Sequence, residues 1–188
     1  LVLHPANWNQ RVVIWAHEAG KAGLFGADGK PQPGVVELLK AGSAIVAPDL
    51  VYQGEFLADG KPLAQRRRVD NPREFAGYTL GYNPALFAQR THDLLTLAAA
   101  FQGYQGQKTS IDLLGVGAAG AWVAAARAQA GPAIARAVVD TEQFRFHKLR
   151  STEDVNFLPG GAKYGDLPGI LALGAPGELW LAGEGDMP

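Results

Sequence analysis

Leu113-Leu114-Gly115-Val116-Gly117-Ala118-Ala119-Gly120-Ala121-Trp122 joins an apolar run to a run of small residues through Gly115, Gly117 and Gly120. Upstream, residues 109–114 read Thr-Ser-Ile-Asp-Leu-Leu, which predicts a mostly buried strand. Downstream, residues 120–129 read Gly-Ala-Trp-Val-Ala-Ala-Ala-Arg-Ala-Gln, a helix whose small side chains let it lie close on a sheet. A strand that turns through glycines straight into a helix is the repeating unit of an α/β fold, and the rest of the chain repeats it.

Apolar, β-branched runs at 11–16, 43–48, 135–140 and 178–182 predict four more buried strands. Helical spacing covers 34–41, with Gly42 where a C-terminal glycine cap belongs, and 84–101, with Leu86, Phe87, Leu94, Leu95, Leu97, Ala98 and Phe101 on its apolar face. Continuous apolar strands separated by helices imply a mostly parallel sheet of about five strands, covered by helices on both faces. Its crossovers are expected to be right-handed. Residues 50–75 hold the arginines, glycines and prolines of a long excursion, of a length that is uncommon unless functional or disordered. No internal repeat or heptad is present, and 188 residues fit one domain.

Composition narrows the function classes. Apolar residues make up 47% and charged residues 19%, so disorder is not expected. A net charge of −1 gives no basic footprint for nucleic acid, and Arg66-Arg67-Arg68 reads as a solvated loop. Cysteine is absent, which excludes disulfides, cysteine nucleophiles and cysteine-ligated zinc. No run reaches the roughly 18 apolar residues of a membrane span. The sequence begins at Leu1 with no signal-peptide pattern, and the expectation is a processed chain or a piece of a longer polypeptide.

Three readings compete for the glycine turn. Gly115, Gly117 and Gly120 match the dinucleotide fingerprint G-x-G-x-x-G literally, and Asp140 follows about 20 residues on, where an acid would hold a ribose hydroxyl. The same turn matches the nucleophile elbow G-x-S-x-G with Gly117 in the serine position. Tight strand–helix packing alone would also select small residues. A dinucleotide turn usually follows the first strand, whereas two strands and a long helix precede this one, so the fingerprint is the weaker of the two motif readings.

The order of the remaining segments resembles α/β hydrolases, most closely the acetyl-xylan-esterase-like and dienelactone-hydrolase-like group. Val12-Val13-Ile14-Trp15-Ala16-His17-Glu18-Ala19-Gly20 is similar to the strand and loop bearing that family's oxyanion segment. Ala47-Pro48-Asp49-Leu50-Val51-Tyr52-Gln53-Gly54-Glu55 resembles its P-D-x-R-G-x-G-E stretch, with Val51 replacing the usual arginine. Residues 78–94 resemble the helix before the elbow strand, and Leu179 to Asp186 the late strand whose loop supplies the triad acid. The resemblance spans residues 10–188 and implies an α/β-hydrolase-like domain, incomplete relative to the full family fold.

What it implies for chemistry is a site with parts missing. Acyl transfer needs a nucleophile, a base, an orienting acid and an oxyanion hole. The nucleophile position is Gly117, which has no side chain, and Ser43, Ser110 and Ser151 all lie away from the elbow. Asp186 matches the family acid, while Asp140 and Glu142 form a second acidic candidate at the same sheet edge. The family histidine follows the acid, and the sequence ends at Pro188; His17 belongs to the oxyanion segment, His92 to a helix, and His147 is out of family order. The oxyanion hole needs only backbone N–H groups, here those of Ala118 and of Glu18 or Ala19. Such a site could hold a carboxylate or ester without cleaving it. The expectation is a carboxylesterase relative with impaired catalysis. It needs no cofactor and no metal, and any ligand would be a small-molecule or polysaccharide ester. A non-catalytic binding module and a dinucleotide-binding protein are the alternatives.

Overall fold

A computed structural model describes residues 1–66 and 76–185. Its strands are β1 (Val2–Leu3), β2 (Arg11–His17), β3 (Ala44–Val46), β4 (Ser110–Val116), β5 (Arg136–Asp140) and β6 (Glu178–Ala182). The helices are α1 (Pro33–Lys40), α2 (Ala76–Tyr82), α3 (Leu86–Phe101), α4 (Ala119–Ala130) and α5 (Asp166–Leu173). The strands form one sheet in the order β1-β3-β2-β4-β5-β6. The five anticipated strands are parallel neighbours, and the elbow strand β4 sits inside the sheet between β2 and β5. The sixth, β1, pairs antiparallel with β3 and was not anticipated, because a two-residue strand is too short to show a period.

The pleat divides the sheet cleanly. Val12, Ile14, Ala16, Ile111, Leu113, Ala137 and Val139 point to one face and form the larger core with Phe87 and Leu94 of α3, Trp122 of α4 and Leu167 of α5. Trp15 and Ile45 point to the other face and pack with Leu24 and Val35, under α1 and the short 3₁₀ turn Gly20–Leu24. The cover provided by α1 does not reach β5 and β6, where Val138 and Trp180 are exposed among the described residues.

Two local features follow directly from the sequence. Helix α1 ends as its glycine requires: Gly42 takes φ +86, its N–H donates to the Leu39 carbonyl, and the Ser43 N–H donates to the Leu38 carbonyl, a Schellman closure. Helix α4 is buried along Ala119–Arg127, and its alanines and glycine bring it against the sheet. A Cβ on Gly120 would stand 1.7 Å from the Asp140 carbonyl oxygen, and one on Gly115 2.8 Å from the Gly120 Cα. Two of the three motif glycines are therefore required by helix–strand contact alone. Asp112 of β4 lies opposite Arg136 and diagonal to Arg11, and it ion-pairs with both, at 2.6 and 2.8 Å. In the excursion after β3, Gly54–Phe56 forms a 3₁₀ turn, and residues 67–75 lie outside the described residues.

Candidate functional site

Parallel strands direct their C-terminal ends to one edge, so the loops after β2, β3, β4 and β5 meet there. The loop after β4 is the elbow. Gly117 takes φ +62, a left-handed conformation that costs a non-glycine residue energy, and its carbonyl accepts the Gly120 N–H at 2.9 Å as α4 begins. The backbone thus makes the sharp strand-to-helix turn that a nucleophile elbow needs, at a residue with no side chain. The space a Cβ would fill on Gly117 is bordered by the Glu18 carboxylate, with Oε2 at 3.5 Å, and by Glu142 Oε1, also at 3.5 Å.

The loop after β2 is held in place by its neighbours. His17, the last residue of β2, pairs in register with Val116, and its Nδ1 accepts the Ala19 N–H at 2.9 Å. A neutral ring used this way carries its proton on Nε2 and has no acceptor left for a nucleophile. Gly20 takes φ +63, and a Cβ there would strike the Asp49 carboxylate at 2.2 Å. Asp49 in turn accepts the Lys21 N–H at 2.9 Å and the Glu55 N–H at 3.2 Å and pairs with the Lys21 ammonium. Burial alone would raise its carboxyl, but these hydrogen bonds outweigh it and hold the group below the ordinary carboxylate range. Buried Gln53 completes the brace: its amide donates to the His17 and Glu18 carbonyls at 3.0 and 2.8 Å and accepts the Leu50 N–H.

Between these loops lies a cleft of about 230 Å³, with Glu18 and Ala19 on one wall and Ala118 and Trp122 on another. It brings together the residues read as the oxyanion segment, Glu18, Ala19 and Ala118. Ala118 is the N-cap of α4, where first-turn N–H groups have no intrahelical acceptor. Asp140 ends β5 next to Gly120. Its Oδ1 accepts the Glu142 N–H at 3.1 Å and lies where a Cβ on Gly183 would fall. Glu142 and Gln143 both take positive φ in the turn that follows. His147 does not line the cleft. Its Nδ1 lies 2.8 Å from Asp166 Oδ2, and Asp166 also accepts the Phe146, His147 and Leu167 N–H groups. Burial pushes the Asp166 carboxyl up, but those donated bonds prevail and hold it low. Asp186 lies outside the described residues. Among the described residues no cluster of three metal-ligating side chains occurs, and no helix is long and apolar enough to cross a membrane.

One residue of the cleft had no assigned role in the sequence. Arg90 of α3 is 5% exposed, and it also lines the cleft. Its Nε and Nη2 donate to the Val51 and Tyr52 carbonyls at 3.2 and 3.3 Å, and its guanidinium carbon stands 4.4 Å from the centre of the Trp122 ring. Burial lowers its pKa to about 10, against the opposing influence of Asp93. An arginine in the middle of a helical pattern reads as solvent-facing, and only tertiary packing shows otherwise.

The fold and the strand-to-helix turn after β4 are α/β-hydrolase-like. No family model matches the chain, and no curated protein matches it in sequence. Solved structures do match in fold. A carbohydrate esterase family 15 glucuronoyl esterase from Caldicellulosiruptor kristjansonii is 11% identical with a TM-score of 0.54, over 96% of this chain and 55% of that one. A glucuronoyl esterase of the same family from Teredinibacter turnerae T7901 is 16% identical with a TM-score of 0.50, over 96% of this chain and 50% of that one. A lipase in its open form is 14% identical with a TM-score of 0.51, over 73% of this chain and 37% of that one. The chain spans about half the length of these proteins or less.

Proposed function

We propose that this chain is a relative of carboxylic ester hydrolases whose elbow site binds its ligand without cleaving it. The observation that carries the reading is Gly117: the elbow backbone is formed, with φ +62, and no nucleophile stands on it. In support, Glu18, Ala19 and Ala118, the residues read as the oxyanion segment, line one cleft. The described histidines do not complete a triad there. His17 spends its acceptor nitrogen on Ala19, and His147 faces Asp166 away from the cleft lining. The three solved structures described above are two glucuronoyl esterases and a lipase, which supports an ester or its carboxylic acid as the ligand class. The acetyl-xylan-esterase resemblance points the same way, to a small-molecule or polysaccharide ester.

A dinucleotide site has less support. Gly115 and Gly120 are accounted for by strand–helix contact, and the Asp140 carboxylate already accepts the Glu142 N–H. The test is hydrolysis of p-nitrophenyl acetate by the unmodified protein and by Gly117→Ser. Both should stay within a few-fold of the buffer rate, since a serine without a base is a weak nucleophile. Turnover by the unmodified protein that is abolished by a substitution at the elbow edge would overturn the reading.

A further inference from the structure

We infer that the cleft between α3 and the N-terminus of α4 is a binding site for a small organic carboxylate, with Arg90 as the residue that selects the anion. The inference rests on the reading of a non-cleaving site and specifies what that site holds. Two independent features bring positive charge to the wall of one cavity. The first is the start of α4, a helix of 12 residues whose N-cap, Ala118, forms part of the wall; the Gly120 N–H is taken by the Gly117 carbonyl, and the Ala118 and Ala119 N–H groups make no hydrogen bond to the described residues. The second is Arg90, which lines the same cavity with 95% of its surface removed from solvent, as its 5% exposure states.

The guanidinium is held but not neutralised. Nε and Nη2 are occupied by the Val51 and Tyr52 carbonyls, whereas Nη1 makes no hydrogen bond to the described residues. No carboxylate among the described residues comes within ion-pair distance of it. Asp93 is the nearest in effect, and its Oδ2 is engaged by the Val51 N–H at 3.0 Å. Two carbonyls and the face of Trp122 lock the side chain in one position, so its remaining donor is preorganised. A buried cation without a counter-ion is costly, and an anion arriving in the cleft would relieve that cost.

The remaining walls set the ligand's shape. Ala19, Ala22, Pro62, Leu63 and Val155 are apolar, which suits a carboxylate carried on a hydrocarbon body rather than an inorganic anion. A volume of about 230 Å³ admits one such body of the size of a substituted benzene ring. Glu18 also lines the cleft, but it is exposed and lies towards Gly117, so water screens its charge more than it screens that of Arg90.

The test is calorimetric titration of the protein with benzoate and with benzamide, which share a ring and differ in charge, and with methyl benzoate as a hydrolysis control. Benzoate should bind at least ten-fold more tightly than benzamide, and Arg90→Gln should remove most of that preference. Because Arg90→Gln disturbs packing against Trp122, the amide resonances of the unmodified protein provide a second readout. Benzoate should shift the Ala118 and Ala119 amides, and benzamide at equal concentration should not. Equal affinity for the two compounds, no binding of benzoate, or shifts confined to another surface would overturn the inference while leaving the non-cleaving reading intact. Release of methanol from methyl benzoate, lost on substitution at the elbow edge, would instead remove the reading beneath it.

Discussion

Trp122 and Trp180 are the same residue in opposite circumstances. Trp122 is 1% exposed in α4, where its indole N–H donates to Asn156 Oδ1 at 2.8 Å and its ring carries the Arg90 guanidinium. Trp180 is 65% exposed on β6, and its N–H reaches only Glu178 of its own strand. The difference lies in what covers each face of the sheet. On the side of α3, α4 and α5 every central strand is roofed, and the candidate site is built at the end of that roof. On the side of α1 the cover stops before β5, leaving Val138 and Trp180 in the open among the described residues. The uncovered patch over β5 and β6 can therefore be altered at little cost, whereas the residues beneath α1 and those beneath α3, α4 and α5 cannot.

The largest effect should come from testing that pair. Trp122→Ala removes a fully buried ring and should cost about 3–5 kcal/mol, while Trp180→Ala should stay within about 0.5 kcal/mol of the parent protein. Urea unfolding of both variants checks this, and similar losses would break the comparison. Next come two glycines. Gly120→Ala drives a Cβ into the Asp140 carbonyl at 1.7 Å and should cost about 1–3 kcal/mol. Gly81, inside α2, has nothing within 4 Å of its would-be Cβ, and Gly81→Ala should be neutral or stabilise by up to about 1 kcal/mol. Thermal melts should give shifts of opposite sign, and a loss at Gly81 would show that α2 is packed more tightly than its surroundings indicate.

Asp112 offers a smaller effect. It is 9% exposed and pairs with Arg11 and Arg136, whose side chains are 30% and 40% exposed. Solvent screening of the arginines limits the loss in Asp112→Ala to about 1–2 kcal/mol. Raising the salt concentration should narrow the gap between that variant and the parent. The smallest effect is in acid. Asp49 and Asp166 both have carboxyls held below their unfolded value of about 3.9. Their contribution is therefore present above that pH and is lost as the pH falls through the folded values. Asp166→Asn should flatten the acid side of the stability–pH curve, and an unchanged slope would remove Asp166 from the account.

The sheet was legible because its strands are continuous apolar runs bounded by turn residues, and each parallel strand appeared within two residues of its expected limits at either end. The short strand Val2–Leu3 and the helices Ala76–Tyr82 and Asp166–Leu173 carried no comparable signal. The first is too short for a period, and the third opens on Gly165 and Asp166, both at positive φ, after a stretch rich in glycine. Of the cleft's lining, Ala118 could be named from the sequence because the glycine turn is a local pattern, and Glu18 and Ala19 because they follow a legible strand. Arg90 could not, since its burial depends on Val51, Tyr52 and Trp122 arriving from three other parts of the chain. The partnership of His147 with Asp166 was equally invisible, because 19 residues separate them.

The central claim is that an elbow has formed here without an activated nucleophile, and its most direct test is covalent. The protein would be incubated with excess fluorophosphonate, which reacts with activated serines, and its intact mass measured. The account predicts an unchanged mass for the unmodified protein. A stoichiometric adduct, mapped by peptide sequencing to any residue at the C-terminal edge of the sheet, would contradict it.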